Sequence, residues 1–294
     1  MKHLLKQNFN LKTLGFFMVA ISILTTPSCK KEEYYYCDCD ENGDDDGDDG
    51  EKTDYTKFFI AHAGGAIDGL NYTNCLEALD LSYSKGCKLF ELDLVKTTDN
   101  KFVAAHHWEQ YKTMTDYPGT IDDTPLSEEE FLSLKIYGKY TPMNMDAINL
   151  WFQNHPDAIL VTDKTNDPQK IYDDFLFRDR VIMELFSWAA IDKAIELGIK
   201  LLVTDGLFFE TPDIEQVLED KKIEYFGMGY NRVLGNENLL RRLKDKGLKN
   251  YVWGLESKIN GQPPEEYVWN YGMNFCYGMY ANDLDLLTDL CSDE

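Results

Sequence analysis

The 294-residue sequence predicts an α/β fold, a (β/α)8 TIM barrel with a small insertion after the second strand. Three observations predict it. Eight short apolar runs of strand character recur along residues 54–294, and most are separated by stretches with apolar residues at the three-and-four spacing of a helix. That span of roughly 240 residues is the size of one such barrel. No glycine-rich phosphate loop follows the first run, which weakens the runner-up, an open doubly wound sheet.

The elements justify this in order. The strand runs are "KFFIAHA" at 57, "KLFELDLV" at 88, "AILVTD" at 158, "RVIMELF" at 180, "KLLVTD" at 200, "IEYFGMGY" at 223, "NYVWGLE" at 250 and "NFCYGMY" at 274. Helix patterns between them include "TNCLEALDLSYSKG", "MDAINLWFQNH", "AAIDKAIELG", "PDIEQVLEDK" and "NENLLRRLKDKG", several closed by Gly or Asn. After the second strand, "TTDNKFVAAHHWEQYKTMTDYPGTIDDTPLSEEEFLSLKIYGKYTPM" is too long for a simple connection. It should fold as a small insertion on the C-terminal face of the barrel, where function resides. Thr98 to Asn100 reads as a hairpin turn, and Ser127 with Glu130 as a capping box.

Ahead of the barrel, residues 1–28 carry Lys2, Lys6 and Lys12, an apolar run from Leu14 to Leu24, and small residues leading to Cys29. The run is too short to span a bilayer and reads as a signal peptide. With Cys29 directly after "TTPS", it resembles a bacterial lipoprotein signal, in which Cys29 is acylated and anchors the chain to a membrane at the outer membrane or cell surface. An ordinary secretory signal or a signal anchor is the alternative. Residues 29–53 are rich in acid, glycine and tyrosine and poor in aliphatics, the composition of a disordered tether. Within it "DCDENG", Asp38 to Gly43, imitates half a calcium loop, but no amphipathic helices flank it. The net charge of -23 argues against a nucleic-acid partner. Apart from Cys29, six cysteines remain; Cys75 and Cys87 are readable either as a disulfide or as buried thiols.

Chemistry concentrates at strand ends. Alternate strand residues share a face, so Glu91 and Asp93 point the same way, and two buried carboxylates side by side call for positive charge. His62 ends the first strand, Asp163 with Lys164 ends the third, and the hairpin returns His106 and His107. Barrel sites are built from the C-terminal ends of different strands, so these groups should converge. Carboxylates with flanking imidazoles suit a divalent cation, Ca²⁺ or Mg²⁺, beside an acid and a base. The bland alternative makes the carboxylate pair a salt-bridge partner of Lys96 or Lys164. Glu184, Asp205, Tyr230 and Tyr280 stand at other strand ends without any order of rank, and Trp253 is either mouth packing or a ligand wall.

Four stretches, "AHAGG" at 61, "YTNCLEAL" at 72, "ELDLVKTTDNKFVAAHH" at 91 and "YVWGLESK" at 251, make the chain resemble the glycerophosphodiester phosphodiesterase family, related to phosphatidylinositol-specific phospholipases C. The resemblance implies His62 and His106 as catalytic residues and Glu91, Asp93 and Asp163 as metal ligands. It implies Lys164, Trp253, Asn74 and His107 around a small-molecule phosphodiester substrate, with Asn74 also readable as a helix cap. The implied reaction is attack by a neighbouring hydroxyl, a cyclic phosphate, and its opening by water with the histidines exchanging roles. Two departures stand out: Ala63 replaces the family's arginine and His107 its aspartate. They motivate a second reading, a catalytically silent surface protein that binds a phosphorylated glycan or headgroup. A third, a metal-independent phospholipase C, would use Lys164 as its positive charge.

Overall fold

A computed structural model of the protein describes residues 54–292. The signal peptide, the lipidation site Cys29 and the acidic tether lie outside the described residues. Among the described residues no helix is long and apolar enough to cross a membrane.

Nine strands form one sheet: β1 (Phe59–Ala61), β2 (Leu89–Lys96), β3 (Phe102–Ala104), β4 (Ile159–Asp163), β5 (Val181–Leu185), β6 (Lys200–Val203), β7 (Tyr225–Gly229), β8 (Lys249–Trp253) and β9 (Gly278–Ala281). All except β3 pair in parallel, and β1 bonds both β9 and β2, so eight strands close into a barrel with helices between them. The eight parallel strands overlap the eight runs predicted above, with β9 starting four residues into its run.

The register explains why "LFELDLV" alternates as it does. Leu89 joins Ile60, Val161, Ile182, Leu202, Tyr251 and Tyr280 inside the barrel, whereas Phe90, Leu92 and Leu94 pack outward against the helices. Glu91 and Asp93 therefore continue the inward row begun by Leu89, toward the C-terminal mouth. At the opposite end Tyr251 donates its hydroxyl to the Lys57 carbonyl at 2.8 Å. Only a glycine fits beside it, because a Cβ on Gly278 would stand 2.5 Å from the Phe58 carbonyl oxygen and 2.6 Å from the Tyr251 ring.

β3 returns antiparallel on the outer end of β2 through the turn at residues 98–100, as predicted. The insertion that follows carries two short helices, Trp108–Met114 and Glu128–Ser133, over its own core of Cys75, Val103, Trp108, Tyr111, Phe131 and Ile136. Tyr111 and Phe131 stack at 4.2 Å within it. Ser127 and Glu130 form the capping box in full. Cys75 and Cys87 are buried free thiols, not a disulfide.

Candidate active site

β1 ends in a turn of three successive left-handed residues, Ala63 (φ 49°), Gly64 (φ 83°) and Gly65 (φ 92°). Gly65 is required twice over, since a Cβ there would fall 2.2 Å from Ser82 Oγ. The turn leaves His62 at the barrel mouth and aims the Ala63 N–H at Glu91 Oε2, 2.7 Å away. Ala63 thus serves through its backbone, whatever a longer side chain would have added.

Glu91 and Asp93 are both 1% exposed, and Asp163, the register partner of Asp93, is half-buried beside them. One carboxylate oxygen from each of the three lies within 4.8 Å of the others. Asn74 holds Asp93 from below with two bonds: its Nδ2 donates to Asp93 Oδ2 at 2.8 Å, and its Oδ1 accepts from the Asp93 N–H at 3.0 Å. The helix cap foreseen for Asn74 is not its role, because Cys75 takes the N-cap position and Asn74 adopts a left-handed φ of 49°. Burial, then Asp163, pushes the Asp93 carboxyl up to about 7. Burial and then Asp93 raise Glu91 well above the usual carboxylate range.

Among the described residues only Lys164 pairs with the cluster, through Asp163 at 3.8 Å, so three carboxylates share a single cationic side chain. Lys96 pairs with Asp167 at 2.6 Å, which corrects the salt-bridge alternative for that residue, and among the described residues no lysine or arginine forms an ion pair with Glu91 or Asp93. Glu91 Oε1 is buried with no hydrogen-bond partner. An orphaned carboxylate oxygen facing two further carboxylates is an all-oxygen donor set, so the residues fit a hard divalent cation.

Asp163 and Lys164 are adjacent in sequence yet both line the same cavity. The reason is the left-handed Lys164 backbone (φ 64°), which breaks the strand alternation and folds the lysine back until Nζ is 3.8 Å from Asp163 Oδ2. His62 Nδ1 meets Asn282 Oδ1 at 3.1 Å, and burial lowers its pKa against that bond. His106 Nδ1 is buried without a hydrogen-bond partner, and burial together with the Lys164 and His107 charges lowers its pKa to about 4.

The cavity, about 480 Å³, is lined by both histidines, Glu91, Asp163, Lys164 and Trp253 among the predicted residues. Trp253 is half-buried on its wall, with its indole N–H unpartnered. His107 is not on the wall: its Nδ1 accepts the Gln110 N–H at 3.2 Å and caps the helix Trp108–Met114. Glu184, Asp205 and Tyr280 do line the cavity, whereas Tyr230 turns toward Tyr267 outside it. Tyr280 donates to Glu184 Oε2 at 3.2 Å, and burial raises the Glu184 carboxyl to about 8. Sequence reasoning missed Tyr72 and Glu256, which meet across the mouth.

These shifts fix a pH dependence for the metal-free protein. Glu91, Asp93 and Glu184 keep protons in the fold that they would release near pH 4 when unfolded, so the folded state binds more protons and stability falls as pH rises through their folded values. The histidines act oppositely, contributing stability above about 6.5 that is lost as pH falls toward 4. Above pH 6.5 the carboxyls dominate, and the buried thiols of Cys75, Cys87 and Cys276, raised by burial, begin to act in the same direction toward pH 8.5. Melting temperature in EDTA should therefore drop by several degrees between pH 6.5 and about 8.5, and a flat or rising profile in thermal scans would contradict the buried carboxyl cluster.

No protein-family model matches the sequence, and no curated protein matches it. Solved structures do resemble the fold. The glycerophosphodiester phosphodiesterase of Thermotoga maritima shares 21% identity at a TM-score of 0.60, covering 79% of this chain and 97% of its own. A glycerophosphoryl diester phosphodiesterase of Parabacteroides distasonis shares 17% at 0.62, covering 80% and 86%. An Oleispira antarctica phosphodiesterase, solved with its product sn-glycerol-3-phosphate, shares 16% at 0.59, covering 82% and 99%. The chain is therefore a (β/α)8 barrel, similar in fold to the glycerophosphodiester phosphodiesterases of Thermotoga maritima and Parabacteroides distasonis and to the Oleispira phosphodiesterase.

Proposed function

We propose that the protein is a metal-dependent phosphodiesterase that hydrolyses a glycerophosphodiester-like or lipid-headgroup phosphodiester by two-histidine acid–base catalysis. The observation that carries this reading is one cavity with His62 and His106 on its wall, beside the cluster of Glu91, Asp93 and Asp163, three carboxylates that share one lysine, Lys164, paired with Asp163 alone. The solved structures named above support it through the substrate class in their names. Glu91, Asp93 and Asp163 would hold the cation, Ca²⁺ or Mg²⁺, which when bound supplies positive charge against the phosphate and lowers the pKa of a hydroxyl near it.

The residues of the chain do the rest. Both imidazoles are neutral at pH 7, since burial lowers their pKa, and a phosphate monoanion entering beside them favours protonation of one. The neutral histidine takes the proton of the substrate hydroxyl next to the ester as its oxygen bonds to phosphorus. The protonated one gives its proton to the departing alcohol oxygen as that P–O bond breaks. Water then opens the cyclic phosphate with the two roles exchanged. Lys164 places its ammonium on the cavity wall, where it attracts the diester. In the same reading residues 1–28 direct export and Cys29 carries a lipid anchor to the outer membrane or cell surface.

Ala63 and the capping role of His107 favour the second reading, a silent binder of a phosphorylated glycan or headgroup. Incubation with Ca²⁺ or Mg²⁺ and a panel of glycerophosphodiesters plus an aryl phosphodiester, followed by phosphorus NMR, separates the two. Release of a phosphomonoester or cyclic phosphate is expected; binding without turnover across the panel would replace the hydrolase reading with the silent one.

A further inference from the structure

We propose that Tyr72 is a positioning residue for both candidate histidines, anchored across the cavity mouth by Glu256. The proposal rests on the two-histidine reading above. Among the described residues Tyr72 is the one ring in contact with both imidazoles: its centroid lies 4.7 Å from His62 at 73° and 4.8 Å from His106 at 54°. Its hydroxyl donates to Glu256 Oε1, in the loop after β8, which fixes the ring from the far side of the mouth. The backbone at Tyr72 is left-handed (φ 58°), as at Asn74, a conformation that bulky side chains rarely adopt. A single turn thus sets the amide of Asn74 under Asp93 and the ring of Tyr72 between the histidines.

The two histidines differ in what else holds them. His62 Nδ1 is bonded to Asn282, whereas His106 Nδ1 makes no such bond and has the Gln110 side chain and the rings around it, so Tyr72 weighs more in the orientation of His106. An acid–base imidazole is ordinarily oriented by a bond to its second nitrogen. Here the ring of Tyr72 shares that part with the Gln110 side chain. The phenol itself is no proton donor to substrate, since burial and the Glu256 bond raise its pKa.

The test compares Tyr72→Phe, which keeps the ring, with Tyr72→Leu and Tyr72→Ser, which remove it. In Tyr72→Leu we expect kcat on a hydrolysed glycerophosphodiester to fall by about 10–100-fold with KM within about threefold, the signature of misplaced groups rather than lost binding. Tyr72→Phe, which keeps the ring but loses the Glu256 anchor, should lose less, about 3–10-fold. Side-chain nitrogen NMR of the metal-free proteins should show the His62 and His106 signals moved in Tyr72→Leu and Tyr72→Ser while those of His155, stacked on Trp151, stay in place. Unmoved His62 and His106 signals overturn the proposal. So does Tyr72→Phe being as impaired as Tyr72→Leu, which would assign the effect to the hydroxyl. Unfolding of both Leu and Ser variants with Phe intact, seen in melting curves, would make the ring a core residue and also overturn it. If the unmodified chain hydrolyses nothing, the hydrolase reading fails while the NMR comparison still judges Tyr72.

Discussion

Replacing His62 or His106 by Ala should lower turnover by about 10²–10⁴-fold, the range for losing a positioned general acid or base. The two losses should not add: once one proton transfer is gone the other histidine has no partner, so the double variant should be little worse than either single one. Neither change should unfold the chain. His106 makes no hydrogen bond through Nδ1, and His62 makes one to Asn282, so folding loses little, and removing two imidazoles that must stay neutral lessens the fall in stability below pH 6.5. Steady-state kinetics with circular dichroism as a control decides it. Near-normal turnover in either single variant would remove the two-histidine mechanism.

The second large effect concerns the carboxylates. Adding Ca²⁺ or Mg²⁺ should raise the melting temperature, because a ligand that binds only the folded state stabilises it by about 2.7 kcal/mol at one hundred times its dissociation constant. For a domain of this size that is a shift of roughly 5–10 °C. Glu91→Gln combined with Asp93→Asn keeps side-chain shape and removes the like-charge repulsion that, after burial, raises both pKa values. The double variant should match or exceed the unmodified metal-free protein in stability at pH 8, yet gain nothing from the cation. A persisting metal-induced shift would place the ion elsewhere.

Much of this arrangement is legible in the sequence because barrel strands announce themselves: each run is buried on both faces, and the departures from apolarity, Glu91 and Asp93, stand out within β2. The hairpin turn at 98–100 and the Ser127 capping box follow from local chemistry and are equally readable. What escapes is set by backbone conformation and distance. The left-handed turns at Asn74 and Lys164 convert an apparent cap into a clamp on Asp93 and bring a lysine onto the wall beside Asp163. No local pattern marks either. Tyr72 and Glu256 are 184 residues apart, and only closure of the barrel brings the β1 and β8 loops together. His107 reads as part of the site by adjacency to His106, yet consecutive residues at a helix start diverge, and it is spent on the cap. A positive φ at Tyr72 is the one signal that would have drawn attention to it, and it is visible only in the fold.

In the proposed reaction a divalent cation on Glu91, Asp93 and Asp163 and the two histidines together cleave a phosphodiester. This is tested most directly by stripping the purified protein with EDTA and following hydrolysis of a glycerophosphodiester before and after Ca²⁺ or Mg²⁺ is returned. The expected result is no turnover in EDTA, recovery on addition of the cation, and no recovery in Glu91→Gln/Asp93→Asn. Turnover undiminished in EDTA would contradict the claim and shift the positive charge at the phosphate to Lys164.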